Sequence, residues 1–181
     1  MIFSVPICFG AISLSEEIII SLYGTEFINS ILPLNLLAVS LIFVFLYFPI
    51  GSLLNASNKQ KRNTTNMGIA MLINVVLNLI LIPKYNLAGA AIASIVSQGV
   101  MFGLGLYYVN TVIKYNKKLL SIRMLQNIIT ASLMFAMVVF LKGFISWIFI
   151  VPLAGLFYAT FLFIIKGYSR EDIKSLLKSV R

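Results

Sequence analysis

Residues 28–54 read INSILPLNLLAVSLIFVFLYFPIGSLL and contain no charged side chain. A helix needs about 20 mostly apolar residues to cross the hydrocarbon core of a membrane. This run is long enough, and its apolar residues are continuous rather than alternating, which argues against the strands of a membrane barrel. The segment therefore predicts a membrane-spanning helix.

The rest of the chain follows the same pattern. Hydrophobic residues make up 60% of the 181 residues and charged residues only 10%, whereas a soluble domain has about 45–50% and about 25%. Five further apolar segments, separated by polar breaks, are 1–22, 64–83, 87–109, 124–141 and 144–165. We predict an all-α polytopic membrane helix bundle with about six transmembrane helices, formed by residues 1–165.

Lys and Arg are distributed unevenly over the predicted loops. Twelve of them follow the second, fourth or sixth segment, and only Lys84 and Lys142 follow the third or fifth. Because cytoplasmic loops carry the excess of Lys and Arg, we expect a multi-pass protein of the cell membrane with both termini in the cytoplasm. The net charge of +9 then indicates contact with anionic membrane lipids, and not with nucleic acid.

The two ends of the chain differ from the central segments. Only 15 residues precede Glu16, which is short for a span, so we expect a chain that is longer at its N-terminus. At the other end, residues 166–181 predict a basic amphipathic cytoplasmic tail, because their apolar residues recur at helical spacing beside Lys and Arg.

The residue inventory excludes most enzyme chemistry. There is no histidine, Cys8 is the single cysteine, and only five acidic residues occur. Glu16 and Glu17 are adjacent, and we interpret them as an interfacial polar patch. We predict no catalytic residue, no metal site and no cofactor, and the stock of carboxylates is too small for a membrane enzyme acting on lipid-linked sugars.

Polar residues within the predicted spans are the candidates for substrate contact. Asn66, Asn74 and Asn78 are spaced by multiples of four, which places them on one face of the third helix, and Gln98 lies deep in the fourth. We take Asn74, Asn78 and Gln98 as candidate substrate-binding residues. The same amides are also typical of hydrogen bonds between membrane helices, and that alternative stays open.

Small residues in the fourth segment predict close helix packing. Gly89, Ala93 and Ser97 repeat every four residues, and Gly99 and Gly103 form a GxxxG pattern. Small side chains let helix backbones approach each other in lipid. We therefore expect the fourth helix to be central.

The order of motifs resembles a known family. The stretch LILIPKYNLAGAAIAS, residues 79–94, follows LYGTEF at 22–27, the span ending LLNA at 53–56, and the basic loop NKQK at 58–61. This pattern resembles the polysaccharide transporter family, the O-antigen-type flippases of the multidrug/oligosaccharidyl-lipid/polysaccharide exporter superfamily. Asn86 stands where glycine is usual, and Asn is the residue most able to take the same left-handed turn.

The resemblance implies a fold and a function. Proteins of this family have two lobes of six helices around a central cavity, and this chain resembles the C-terminal lobe alone. The family flips lipid-linked oligosaccharide across the cytoplasmic membrane for surface polysaccharide biosynthesis, by alternating access. The expected partners are membrane lipids, lipid-linked oligosaccharide, and the missing N-terminal lobe or another copy. The alternatives are a lobe of a multidrug or cation-coupled exporter, and a non-transporting membrane scaffold or remnant.

Overall fold

The computed structural model describes residues 4–112 and 117–164, and all regular structure in these ranges is helical. The elements in chain order are α1 (Ser4–Ser13), α2 (Ser15–Tyr23), a short 3-10 helix (Thr25–Ser30), α3 (Ile31–Ala56), α4 (Gln60–Val109), α5 (Lys117–Leu141) and α6 (Trp147–Ile164). The prediction of an all-α membrane bundle is confirmed. The predicted tail, residues 166–181, lies outside the described residues.

The element α4 is a hairpin and not one straight helix. Fifty residues of straight helix would measure about 75 Å, yet Lys59 Nζ, just before α4, lies 3.0 Å from Thr111 Oγ1, just after it. The helical backbone is interrupted at Asn86. We call residues 60–85 the first arm and 87–109 the second arm. They correspond to the predicted third and fourth segments.

The turn between the arms depends on two residues. Asn86 has φ 50° and ψ −131°, so the positive φ expected at this position is present. Its ψ lies outside the left-handed helical region that Asn tolerates, in a region that strongly favours glycine. Beyond the turn, a Cβ at Gly89 would lie 2.4 Å from the main-chain oxygen of Leu81, so only glycine allows the second arm to begin this close to the first.

The first predicted span is broken. Helices α1 and α2 meet at an angle of 64°, and the break falls at Leu14, two residues before Glu16. Three described helices are long and apolar enough to cross a membrane, or four if this bent pair is one span. With α4 divided into its two arms and the shorter apolar stretch Leu125–Leu141 of α5, the described helices contain six apolar segments.

The surface of the bundle is apolar. Large side chains such as Phe48 (74% exposed), Leu79 (73%) and Phe140 (72%) point outward. A soluble protein rarely exposes apolar patches of this extent, whereas lipid solvates them. The interior has two apolar clusters. One lies between α1, α5 and α6 around Met134 and Ile150, and the other between α3 and the second arm around Leu54.

Candidate functional site

The predicted amides Asn74 and Asn78 lie together at the contact between the two arms. Asn78 Nδ2 donates to Asn74 Oδ1 over 2.9 Å, and Asn74 Nδ2 donates to Ser97 Oγ over 3.1 Å. Ser97 is buried in the second arm and donates in turn to the main-chain oxygen of Ser94. We call Asn74, Asn78 and Ser97 the arm network. It hydrogen-bonds one membrane helix to the next, which is the alternative that the sequence left open.

The arm network has unused hydrogen-bonding capacity. Asn78 Oδ1 is buried and accepts no hydrogen bond within the described part of the chain. Asn78 also lines a shallow cavity of about 320 Å³, whose other walls are apolar and lie near the end of the first arm. A carbonyl oxygen without a partner keeps its capacity to accept a hydrogen bond.

The third candidate, Gln98, is separate. It is half-buried in the second arm, and its Oε1 accepts no hydrogen bond from the described residues. It follows Ser97 directly, so it projects about 100° further around the helix and away from the Asn74 contact. The structure therefore brings Asn74 and Asn78 together, and no hydrogen bond among the described residues joins Gln98 to them.

A second polar network links α3 to the start of α4, and sequence reasoning did not find it. Tyr47 OH donates to Asn63 Oδ1 over 2.5 Å, and Asn63 Nδ2 donates to Asn55 Oδ1 over 3.0 Å. Tyr47 and Asn63 are buried. We call Tyr47, Asn55 and Asn63 the junction network. A tyrosine within the long apolar run was its one sequence signal.

Glycines determine how closely α3 and the second arm approach. A Cβ at Gly105 would lie 2.7 Å from Tyr47 Cε2 and 2.8 Å from Ile50 Cγ2. At Gly103 no atom lies within 4 Å, and at Gly99 the nearest atoms belong to Phe43 at 3.9 Å. The expectation that the fourth helix packs closely holds at Gly89, Ala93 and Ser97, which are buried. The Gly99–Gly103 pattern does not mark a tight contact in this chain.

Two more polar features lie in the described interior. Tyr158 OH in α6 donates to Asn127 Oδ1 in α5 over 2.8 Å, and both residues are buried. Asn66, which shares the face of Asn74, is fully buried in the first arm. Asn66 is therefore enclosed by protein.

The acidic patch has a cationic partner. Glu17 Oε1 lies 3.2 Å from Lys142 Nζ, which joins α2 to the loop after α5. Lys142 is one of the two basic residues that the charge pattern assigns to the less basic side. Among the described residues, no group of three or more His, Cys, Asp or Glu side chains could hold a metal ion.

The ends of the α4 hairpin enclose a polar cleft of about 560 Å³. We call it the basic cleft, and it is lined by Asn58, Lys59, Lys61, Arg62, Tyr107, Tyr108 and Thr111. It brings the loop after the second predicted segment against the loop after the fourth. The basic residues Lys59, Lys61 and Arg62 therefore lie beside Thr111, at the open end of the α4 hairpin.

The described residues thus define a multi-pass membrane helix bundle with polar contacts between its helices. Comparison with curated proteins finds relatives of the same kind. The chain is 31% identical over 111 residues, 61% of its length, to a probable low-salt glycan biosynthesis flippase of Haloferax volcanii. It is 27% identical over 114 residues, 63% of its length, to an uncharacterized membrane protein of Methanocaldococcus jannaschii.

These similarities cover 24% and 28% of the two relatives, so the chain spans about a quarter of the length of the curated proteins it matches. No family model and no solved structure matches the chain. The chain is similar to flippase-like membrane proteins.

Proposed function

We propose that the chain is the C-terminal six-helix lobe of a flippase that moves lipid-linked oligosaccharide across the cell membrane for surface polysaccharide biosynthesis. The observation that carries the proposal is the 31% identity to a probable glycan biosynthesis flippase. In this proposal the lobe acts with an N-terminal lobe or another copy. The cargo passes between them by alternating access, and the chain itself catalyses no reaction. Both termini face the cytoplasm, with the basic cleft on that side.

The candidate residues divide into two roles within the proposal. Asn78 and Gln98 offer buried carbonyl oxygens that no described residue uses, so they are the proposed acceptors for sugar hydroxyl groups. Asn74 already bonds Ser97 and Asn78, so its proposed role is to hold Asn78 in place. All three remain predicted substrate-binding residues.

The test replaces the amides in the intact protein. Asn74→Leu combined with Asn78→Leu should reduce polymer export severalfold without loss of expression, because leucine fills the space but accepts no hydrogen bond. The matched control is Asn29→Leu, which removes an exposed amide from the short 3-10 helix. Export at the wild-type rate, with equal amounts of protein in the membrane, would contradict the proposed role of the amides.

The dependence on a second lobe has its own test. The genomic sequence upstream of the Met1 codon should encode another six apolar segments, and the longer protein should flip a fluorescent lipid-linked sugar in proteoliposomes when the 181-residue chain does not. If nothing membrane-like is encoded upstream and the chain alone is inactive, the scaffold or remnant alternative replaces the flippase.

A second candidate function, a multidrug or cation-coupled exporter, is favoured by Glu17. One oxygen of this carboxylate pairs with Lys142, and the other is buried without a hydrogen-bond partner in the described structure. Acids held within membrane helices often bind a coupling ion. Under this alternative, Glu17→Gln would abolish the dependence of transport on a sodium or proton gradient. Under the flippase proposal, the dependence stays as in the wild type.

A further inference from the structure

We propose that the basic cleft at the open end of the α4 hairpin is a binding site for a phosphate group at the membrane surface. The cleft is lined by Lys59, Lys61 and Arg62, which precede or begin the first arm, and by Tyr107, Tyr108 and Thr111 at the end of the second. This inference does not rest on the proposed function, because a lobe that flips no oligosaccharide would keep the same site.

Two of the three cations are held in position by residues at the end of the second arm or just after it. Lys59 Nζ donates to Thr111 Oγ1 over 3.0 Å. The Arg62 guanidinium carbon lies 5.1 Å from the ring centroid of Tyr108, and its Nη1 donates to the Tyr108 hydroxyl over 3.4 Å. Side chains that are ordered before binding lose less conformational entropy when a ligand arrives. The cleft should therefore bind an anion more tightly than a group of lysines whose side chains move freely in solvent.

The electrostatics of the cleft favour an anion. The described carboxylates are Glu16, Glu17 and Glu26, all in α2 or the 3-10 helix, and no Asp or Glu lines the cleft. Helix α4 begins at Gln60 beside the cations, and no side chain caps its N-terminus. The first amide groups of a helix point their N–H bonds outward and attract negative charge. The cations and the helix terminus thus attract the same kind of ligand.

Phosphate is the anion that this position and these residues fit best. The cleft lies at the end of two apolar arms and is lined by Tyr107 and Tyr108, and tyrosines are enriched at the level of lipid headgroups. Arginine binds phosphate oxygens through two parallel N–H donors. The phosphate has two possible sources, the headgroup of an anionic phospholipid and the diphosphate of a polyprenyl carrier, and both present the same group.

The experiment measures binding by the 181-residue chain in neutral detergent. The probes are dioctanoyl phosphatidylglycerol, farnesyl diphosphate and sodium phosphate. Arg62→Gln should weaken binding of the lipid probes about fivefold, since one cation near a lipid surface contributes about that factor. Lys84→Gln removes the same charge at the turn between the arms, and it should leave binding unchanged.

A third variant distinguishes binding to an ordered site from general attraction by positive charge. Tyr108→Leu keeps every cation but removes the ring and hydroxyl that hold Arg62, so it should also weaken binding severalfold. Tighter binding of farnesyl diphosphate than of phosphatidylglycerol would identify the carrier as the source, and the reverse order would identify the phospholipid. Displacement of both by sodium phosphate would show that the phosphate alone is recognised.

Three results would overturn the proposal. They are an equal loss of affinity in Arg62→Gln and Lys84→Gln, an unchanged affinity in Tyr108→Leu, and no binding of any of the three probes by the wild-type chain. A failed flipping assay leaves this measurement unaffected, so the two proposals can fail separately.

Discussion

The junction network and the arm network use the same kinds of side chain but differ in how completely they are satisfied. In the junction network, both atoms of the buried Asn63 amide are hydrogen-bonded, to Tyr47 and Asn55. In the arm network, the amides are only half-buried and Asn78 Oδ1 has no partner in the described structure. A satisfied buried network stabilises one arrangement. A network with a spare acceptor can also bind a ligand.

The largest effect on stability is expected from adding a methyl group at Gly105, next to the junction network. Gly105→Ala places a Cβ 2.7 Å from Tyr47 Cε2, so the ring must move and its bond to Asn63 is disturbed. We expect the free energy of unfolding in detergent to fall by about 1–3 kcal/mol, measured by denaturant titration. Gly103→Ala is the matched control. Its Cβ meets no atom within 4 Å, and alanine should gain up to about 1 kcal/mol in helix propensity. Equal stability of the two variants would show that the contact between α3 and the second arm is not tight.

A smaller effect is expected from removing one hydroxyl of the junction network. Tyr47→Phe leaves Asn63 Oδ1 buried without its donor, which should cost about 1 kcal/mol of unfolding free energy. Tyr107→Phe removes an exposed hydroxyl and should cost nothing measurable. The comparison uses the same denaturant titration. If only Tyr107→Phe lowered the free energy of unfolding, or if neither variant did, the structural role assigned to the junction network would be wrong.

The smallest effect is expected in the arm network. Ser97→Ala removes the acceptor of Asn74 Nδ2 and should cost about 0.6 kcal/mol, the average for such bonds between membrane helices. Ser94→Ala is the control, because Ser94 Oγ bonds only the Ala90 main-chain oxygen of its own helix among the described contacts. If Ser97→Ala lowered the free energy of unfolding more than Tyr47→Phe does, the arm network would contribute more to stability than the junction network.

Much of the helix arrangement could be predicted from the sequence because it depends on local signals. Apolar length and polar breaks located the segments, and the residues around Asn86 located the turn. Once that turn is known, the register follows. Asn74 and Ser97 lie twelve and eleven residues from Asn86, and Arg62 and Tyr108 lie at similarly matched distances from it. The pairing of the two arms was therefore available from the sequence, although the spacing of the amides alone did not reveal it.

What the sequence did not reveal depends on which helix faces meet. The GxxxG pattern predicted a contact at Gly103, but the second arm turns Gly105 toward Tyr47 and leaves Gly103 open. The break at Leu14 was also missed, because no Pro or Gly stands at that residue. The direction of Gln98 was also not available, because it depends on the second arm turning Ser97, and not Gln98, toward Asn74.

The close turn between the arms also bears on how the chain enters a bilayer. With Lys59 and Thr111 at the same end of the hairpin, only a few residues around Asn86 and the cation Lys84 have to be carried through to complete the pair. Moving charge through hydrocarbon is the costly part of insertion. The two arms can therefore enter together as one hairpin, with Asn74 and Ser97 already opposite each other. Their polar groups would then never face lipid unpaired.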